Sequence, residues 1–317
     1  MTARIRAAQI TWLNVKLSLE FIQATRTWIE QDLISALLVA GVLSANVEYT
    51  QQQPEELRRF MEPGGIPDDA RRPVNAMSVA LSLGIPRETA RIKLAALLER
   101  GLLEKRDGGV IIRSEIITSE PFLGGMRTFL QAISEFINGL AALEACGVLK
   151  GDQMATPPWA VGGVATRLAT SHVLRGIDYV RELNPQLSLT NHYILLALFH
   201  LSGAALRASP ETPDLGGRIP VINATVGPVT VAELSRFTQL PDETVRRQVV
   251  RLETSGIVVR HREGRDIALE DPELLGRWND FQNRTTVSTR QLVWKLFYAG
   301  VIVRGKDHGL TLNMLER

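Results

Sequence analysis

The feature that most restricts what this chain can fold into is an internal echo. Gly84 to Gly101, GIPRETARIKLAALLERG, returns 155 residues later as QLPDETVRRQVVRLETSG, Gln239 to Gly256. Laying Asn75–Ile112 over Thr230–Ile267 without a gap gives identities at Pro86/Pro241, Glu88/Glu243, Thr89/Thr244, Arg91/Arg246, Leu97/Leu252, Gly101/Gly256, Gly109/Gly264 and Ile112/Ile267. These are positions of punctuation and core, which chance rarely selects together.

Each copy spells out the same elements. Proline suits the first helical position, where its missing N–H is not needed, and a glutamate two places on favours the positive end of the helix dipole. A helix therefore starts at Pro86 and at Pro241. Ala90, Leu94 and Leu97, and Val245, Val249 and Leu252, fall at i, i+4, i+7 and make one apolar face, and the glycine that follows stops the helix. Upstream, Thr230 with Glu233 fits a capping box and Asn75 is a good N-cap, so a short helix is expected over Val79–Leu83 and Leu234–Thr238. Downstream, two short apolar runs flank a polar glycine turn in Leu102–Ile112 and Ile257–Ile267, the pattern of a hairpin.

With helix, tight turn, helix and hairpin in place, the residues resemble the winged helix-turn-helix transcription regulators. Gly84-Ile85-Pro86-Arg87-Glu88-Thr89-Ala90 resembles the turn and recognition-helix start of the Crp/Fnr type, and Glu243-Thr244-Val245-Arg246-Arg247 resembles the core of GntR-type regulators. The likeness covers about 38 residues per copy. Nothing resembles a cyclic-nucleotide domain, so no nucleotide effector is implied.

The surroundings repeat as well. Ile10–Thr50 reads as helical, stopping near Gln51-Gln52-Gln53-Pro54, and Glu55–Met61 as a short charged helix. Pro121–Cys146 carries a stripe of Phe122, Met126, Phe129, Ile133, Phe136, Ile137 and Leu140. Gly151–Gly163, with its prolines and glycines, reads as a connector. Helices over Val164–Ala208, a loop Ser209–Pro220 and a last helix Pro272–Ala299 complete the second half. The expected class is mainly α with small β-wings: two tandem winged helix-turn-helix units in an internally duplicated, pseudo-twofold helical scaffold. The expected division is 1–150 (helix-turn-helix 75–101, wing 102–113), linker 151–163, and 164–317 (helix-turn-helix 230–256, wing 257–269). Long helices on both sides of each winged helix resemble a subunit of a MarR-type dimer. Its Asp-x-Arg wing pattern is missing, so that likeness is one of architecture.

The resemblance implies double-stranded DNA as partner and a transcription regulator as function, one chain supplying two recognition helices. Half-sites about one helical turn apart, roughly 34–36 Å, and an imperfect palindrome follow. The candidate contacts are Arg87, Glu88, Thr89, Arg91, Ile92 and Lys93 on the first recognition helix, with Lys105 and Arg106 on its wing. In the second copy they are Asp242, Glu243, Thr244, Arg246, Arg247 and Arg251, with Arg260, Arg262 and Arg265 on the wing. Arginine can donate to guanine or phosphate, glutamate can accept from cytosine N4, and Ile92 can meet a thymine methyl. Each glutamate can equally serve the helix dipole, each threonine can simply cap, and each basic wing can be plain solvated surface. The second copy is the more typical reader, since the first exposes Ile92, Ala95 and Ala96 where groove or protein could pack.

Composition sets limits on the alternatives. Net charge is only +2, so basic character must be judged locally. The apolar runs Leu33–Val47 and Tyr193–Leu206 are shorter than the roughly 20 residues a spanning helix needs. No apolar leader follows Arg4 and Arg6, and Cys146, alone in the chain, forms no internal disulfide, which fits a core residue in a reducing cytoplasm. Phosphate-loop, nucleophile-elbow, His-Glu-x-x-His and Cys-x-x-Cys patterns are missing and the five histidines are scattered, so neither an enzyme, a metal site nor a cofactor is expected. A tandem winged-helix replication initiator or a protein-interaction module is the rival reading. A homodimer and a small-molecule effector, near Trp12, Trp28, Trp159, Trp278 or Trp294, stay open, with no ligand named.

Overall fold

The computed structural model describes residues 3–29, 32–52, 54–61, 65–143, 159–203, 227–268, 271–304 and 310–312. With 73% helix and only small antiparallel hairpins among the described residues, the chain is mainly α. The helices are α1 (Ala3–Trp28), α2 (Leu33–Asn46), α3 (Pro54–Arg59), α4 (Ala76–Ser82), α5 (Arg87–Glu99), α6 (Ser114–Ile117), α7 (Glu120–Ala142), α8 (Trp159–Leu183), α9 (Leu189–Ser202), α10 (Val231–Thr238), α11 (Asp242–Thr254) and α12 (Pro272–Tyr298). The strands pair as β1 (Glu104–Arg106) with β2 (Gly109–Ile111), β3 (Val258–Arg260) with β4 (Arg265–Ile267), and β5 (Ile302–Arg304) with β6 (Leu310–Leu312).

Two compact units interleave along the sequence. A larger one takes residues 20–175 and 290–317, a smaller one 1–19 and 176–289. They are thus a different partition from the sequence halves 1–150 and 164–317, because α1, α8 and α12 each divide between the units. One expectation needs correcting: Trp159–Gly163, assigned to a connector, opens α8. Residues 151–158, the loop 209–220 and Cys146 lie outside the described residues.

In the larger unit, Asp32 caps α2 by accepting from the Ile34 and Ser35 amides at 3.1 and 3.4 Å. This helix is buried nearly all round and lies against α4, α5 and β2. Its last residue, Asn46, is fully buried and ties two other stretches of backbone to the end of α2. Its Nδ2 donates to the carbonyls of Arg72 (2.8 Å) and Val110 (3.0 Å), and its Oδ1 accepts from the Ile112 amide at 3.1 Å. Removing that side chain would leave buried backbone groups without partners, each costing about 1–3 kcal/mol. Asn46→Leu is therefore expected to destabilise the unit by about 3 kcal/mol in urea unfolding; a loss under about 0.5 kcal/mol, the range of an ordinary surface change, would refute the tie.

The stripe on α7 is buried from Met126 on, as its spacing predicts, with Phe129 against Phe21 at 4.9 Å and the half-buried Phe122 edge-on to Trp28 at 5.1 Å. Gly125 lets the backbones close up, since a Cβ there would stand 2.9 Å from the Ala24 carbonyl oxygen.

The smaller unit is organised in the same order. Ser188 and Asn191 form a capping box at the start of α9, which is as long as α2 and lies against α10, α11 and β4. Asn191 Nδ2 donates to the Gln248 carbonyl at 3.0 Å, and Phe199 meets Trp278 at 4.2 Å. Among the described residues no single helix is long and apolar enough to cross a membrane.

Candidate nucleic-acid interface

The two segments that echo each other in sequence adopt the same local geometry. Asn75 caps α4 through the Met77 and Ser78 amides, and Thr230 caps α10 in a capping box with Glu233. The Glu233 carboxyl is held below its ordinary value by hydrogen bonds from the Thr230 hydroxyl and amide. Between the helices the chain turns through a left-handed residue, Gly84 (φ 71°) in one copy and Gln239 (φ 53°) in the other. Glycine adopts that conformation freely, whereas Gln239 does so at a cost of roughly 1 kcal/mol. Pro86 and Pro241 then precede α5 and α11 with the same backbone angles, φ −56° and ψ 139°.

Behind each helix the hairpin is fastened by a third stretch of backbone. Val74 exchanges two hydrogen bonds with Val110 (3.1 and 2.9 Å), and Val229 exchanges two with Arg265 (both 2.8 Å). This approach explains the shared glycine: a Cβ on Gly109 would lie 2.2 Å from the Val74 oxygen, and on Gly264 2.7 Å from the Val229 oxygen. Nothing crowds Gly108, whose φ is +88°. Gly109→Ala and Gly264→Ala should therefore cost about 2–3 kcal/mol in chemical denaturation, against about 1 kcal/mol for Gly108→Ala. If Gly109→Ala unfolds no more readily than Gly108→Ala, the close approach does not limit this position.

The faces of α5 and α11 divide as the spacing requires. Ala90, Leu94, Leu97 and Val245, Val249, Leu252 are buried. Glu88, Arg91, Ile92 and Arg87 are exposed on α5, as are Asp242, Glu243, Arg246, Arg247 and Arg251 on α11, while Thr89 and Thr244 are half-buried. Both helices carry the same exposed ion pair one turn apart, Glu88–Arg91 at 2.6 Å and Glu243–Arg246 at 3.2 Å. The hydrogen bond from Arg91 lowers the Glu88 pKa, and the Arg91 pKa rises in return.

Two of the candidate contacts are turned inward. Lys93 is half-buried and salt-bridged to Asp32, the cap of α2. Burial pushes the Asp32 carboxyl up, but the hydrogen bonds from Lys93 and Ser35 together hold it below its ordinary value. Arg265, also half-buried, reaches Glu253 of α11 at 3.0 Å and clamps hairpin to helix. Arg106 pairs with Glu104 at 2.6 Å, and Arg113 with the same carboxylate at 3.3 Å, so most of the positive charge on the first hairpin is spent locally. Of the candidate contacts, Arg87, Lys105, Arg247, Arg251, Arg260 and Arg262 are exposed cations with no ion-pair partner among the described residues. Four of those six belong to the second segment, and of these Arg251 is held by a hydrogen bond to Gln248.

Exposed carbon also differs between the copies. Leu81 and Ile92 are 49% and 54% exposed in the first, Val250 and Val259 50% and 38% in the second. The tryptophans are mostly structural: Trp12 stacks on His200 at 4.9 Å, Trp278 is buried, and Trp294 is exposed beside Tyr298. Trp28 lines a cavity. No group of three or more histidine, cysteine, aspartate or glutamate side chains suited to a metal occurs among the described residues. Comparisons of the chain with protein-family models, with curated proteins and with solved structures find no match.

Proposed function

We propose that this chain is a sequence-specific DNA-binding transcription regulator, not an enzyme, in which two winged helix-turn-helix segments arose by internal duplication and act together as a single-chain pseudo-dimer in the cytoplasm. The observation that carries the reading is the exposed arginine face of the second segment. Arg247 on α11 and Arg260 and Arg262 at the hairpin tip are solvent-facing cations without an ion-pair partner among the described residues. A helix and a hairpin so charged suit a groove and the phosphates beside it. The common backbone bridges at Val74 and Val229, and the repeated Glu–Arg pair, support two related reading units.

Selection of bound fragments from random duplex DNA, repeated across salt concentrations, tests it. The expected result is an enriched imperfect palindrome and an affinity that falls steeply with salt, because neutralised phosphates release counterions. Failure to enrich any sequence, with no salt-dependent retention of DNA, would remove the proposal. A second reading attaches to the first segment alone, where Leu81 and Ile92 are exposed and the hairpin charges are paired: contact with another protein. It is favoured if Ile92→Glu leaves DNA affinity unchanged.

A further inference from the structure

Within the larger unit, α1, α2, α7 and α8 enclose a cavity of about 100 Å³. Its walls are carbon from Phe21, Trp28, Phe122, Met126 and Phe129, and one end holds two guanidinium groups, Arg71 and Arg167. Arg71 is 4% exposed; its Nη2 donates to the Ile66 carbonyl at 2.9 Å, and its Nε lies 3.5 Å from Asp68 Oδ1 without hydrogen-bonding it. Arg167 donates through Nη2 to the Phe60 carbonyl, and its buried Nε has no hydrogen-bond partner.

The charges here do not balance. Arg71 has one carboxylate nearby, Asp68, and Arg167 has no carboxylate partner among the described residues. Burial, with the Arg71 charge added, pushes the Arg167 pKa down to about 10. Leaving a buried charge and buried donors unpaired costs several kcal/mol, and an anion seated there removes that cost. An apolar wall with a few convergent polar groups is also the usual make-up of a small-molecule site.

We infer that this cavity binds a small apolar monoanion, a single aromatic ring or short acyl chain carrying one carboxylate, with the carboxylate on Arg71 and Arg167 and the carbon part among Phe21, Trp28 and Phe129. Guanidinium matches carboxylate through paired parallel N–H donors. The volume admits at most one small ring or a short chain, being smaller than the apolar cavity of about 150 Å³ that is known to hold benzene. This site stands on its own geometry, whatever DNA the chain binds.

Titration calorimetry of the full chain with benzoate and with benzyl alcohol, which has nearly the same shape and no charge, tests the inference without DNA. Benzoate should bind at least about tenfold more tightly, the difference that one good charge-assisted contact confers. Arg167→Gln should abolish the preference for benzoate, and Trp28→Phe should remove the emission change that benzoate causes in the parent protein. Equal affinity for the two compounds, no binding of benzoate at millimolar concentration, or unchanged benzoate affinity in a folded Arg167→Gln variant would each overturn it. The comparison of the two compounds on the parent chain decides the matter should the variant fail to fold.

Discussion

Replacing Arg247, Arg260 and Arg262 together by alanine is expected to weaken binding to a random-sequence duplex by about 10²–10³-fold at low salt, at roughly 1–1.4 kcal/mol per lost contact. The slope of log affinity against log salt should flatten by about 2.7, or 0.9 for each phosphate contact removed. Among the described residues no carboxylate holds these three, and all are exposed. Arg91 and Arg246 differ, each already held by the glutamate one turn earlier, so DNA must compete with an existing partner. The position equivalent to Arg247 is Ile92 in the first copy. Arg246→Ala with Arg247→Ala should accordingly cost far more affinity than Arg91→Ala, which should cost less than about threefold. Fluorescence anisotropy on one labelled duplex at fixed salt measures all of these. Comparable losses from changes in the two segments would reject the asymmetry, and no loss from the triple change would reject DNA contact by this face.

What the sequence made legible is local in character. The caps at Asn75 and Thr230 and the buried triplets on α5 and α11 follow from spacings of a few residues, and the structure has them, while the helices expected to start at Pro86 and Pro241 begin one residue later, with the prolines as N-caps. The features that choose among the candidate contacts are not local. Lys93 finds Asp32 at a separation of 61 residues, and Asn46 finds Val110 at 64. No short-range pattern marks an asparagine in an apolar helix as the tie for a distant hairpin, or a lysine on α5 as a brace. Arg265–Glu253 is closer in sequence, but its pairing depends on how the hairpin folds back over α11. Trp159–Gly163 failed for another reason. Two adjacent glycines weaken a helix by about 1 kcal/mol each, and here burial outweighs it: Val161, Val164 and Ala165 are at most 1% exposed, and the Val164 amide is satisfied by the Met61 carbonyl. Gly109 and Gly264 were visible as identities, yet their meaning lay in Val74 and Val229, which no turn signal singles out.

Acid should unfold this protein well before its carboxylates are protonated, because two histidines are buried and a third, His200, is half-buried, all in neutral form. In the smaller unit, burial, helped by the Arg181 charge, outweighs the Asn184 carbonyl and puts His192 at about 4; burial and Lys16 put His200 at about 4. In the larger unit, burial and Arg175 put His172 at about 3. The geometry agrees. His192 spends Nε2 on the Asn184 carbonyl at 3.2 Å and leaves a buried Nδ1 with no acceptor, while His200, its Nδ1 likewise unpartnered, lies between Trp12 and Phe237. A histidine in the unfolded chain takes up its proton near pH 6.5, and these do so only near pH 3–4 once folded. Between those values the unfolded state binds more protons, so stability is full above about pH 6.5 and falls as pH drops toward 4. At 1.36 kcal/mol per unit, His192 and His200 each contribute a loss on the order of 3 kcal/mol. Urea unfolding at pH 7.5, 5.5 and 4.5 should show that decline, and His200→Phe, which keeps the stacking against Trp12 without the titration, should flatten it for the smaller unit. Asp32 and Asp68, both held below the ordinary aspartate value, weaken the fold only at still lower pH, which keeps the two effects apart. Equal stability at pH 7.5 and 4.5 would mean that these imidazoles accept protons in the folded chain, and that the ring stack around His200 opens far more readily than its packing implies.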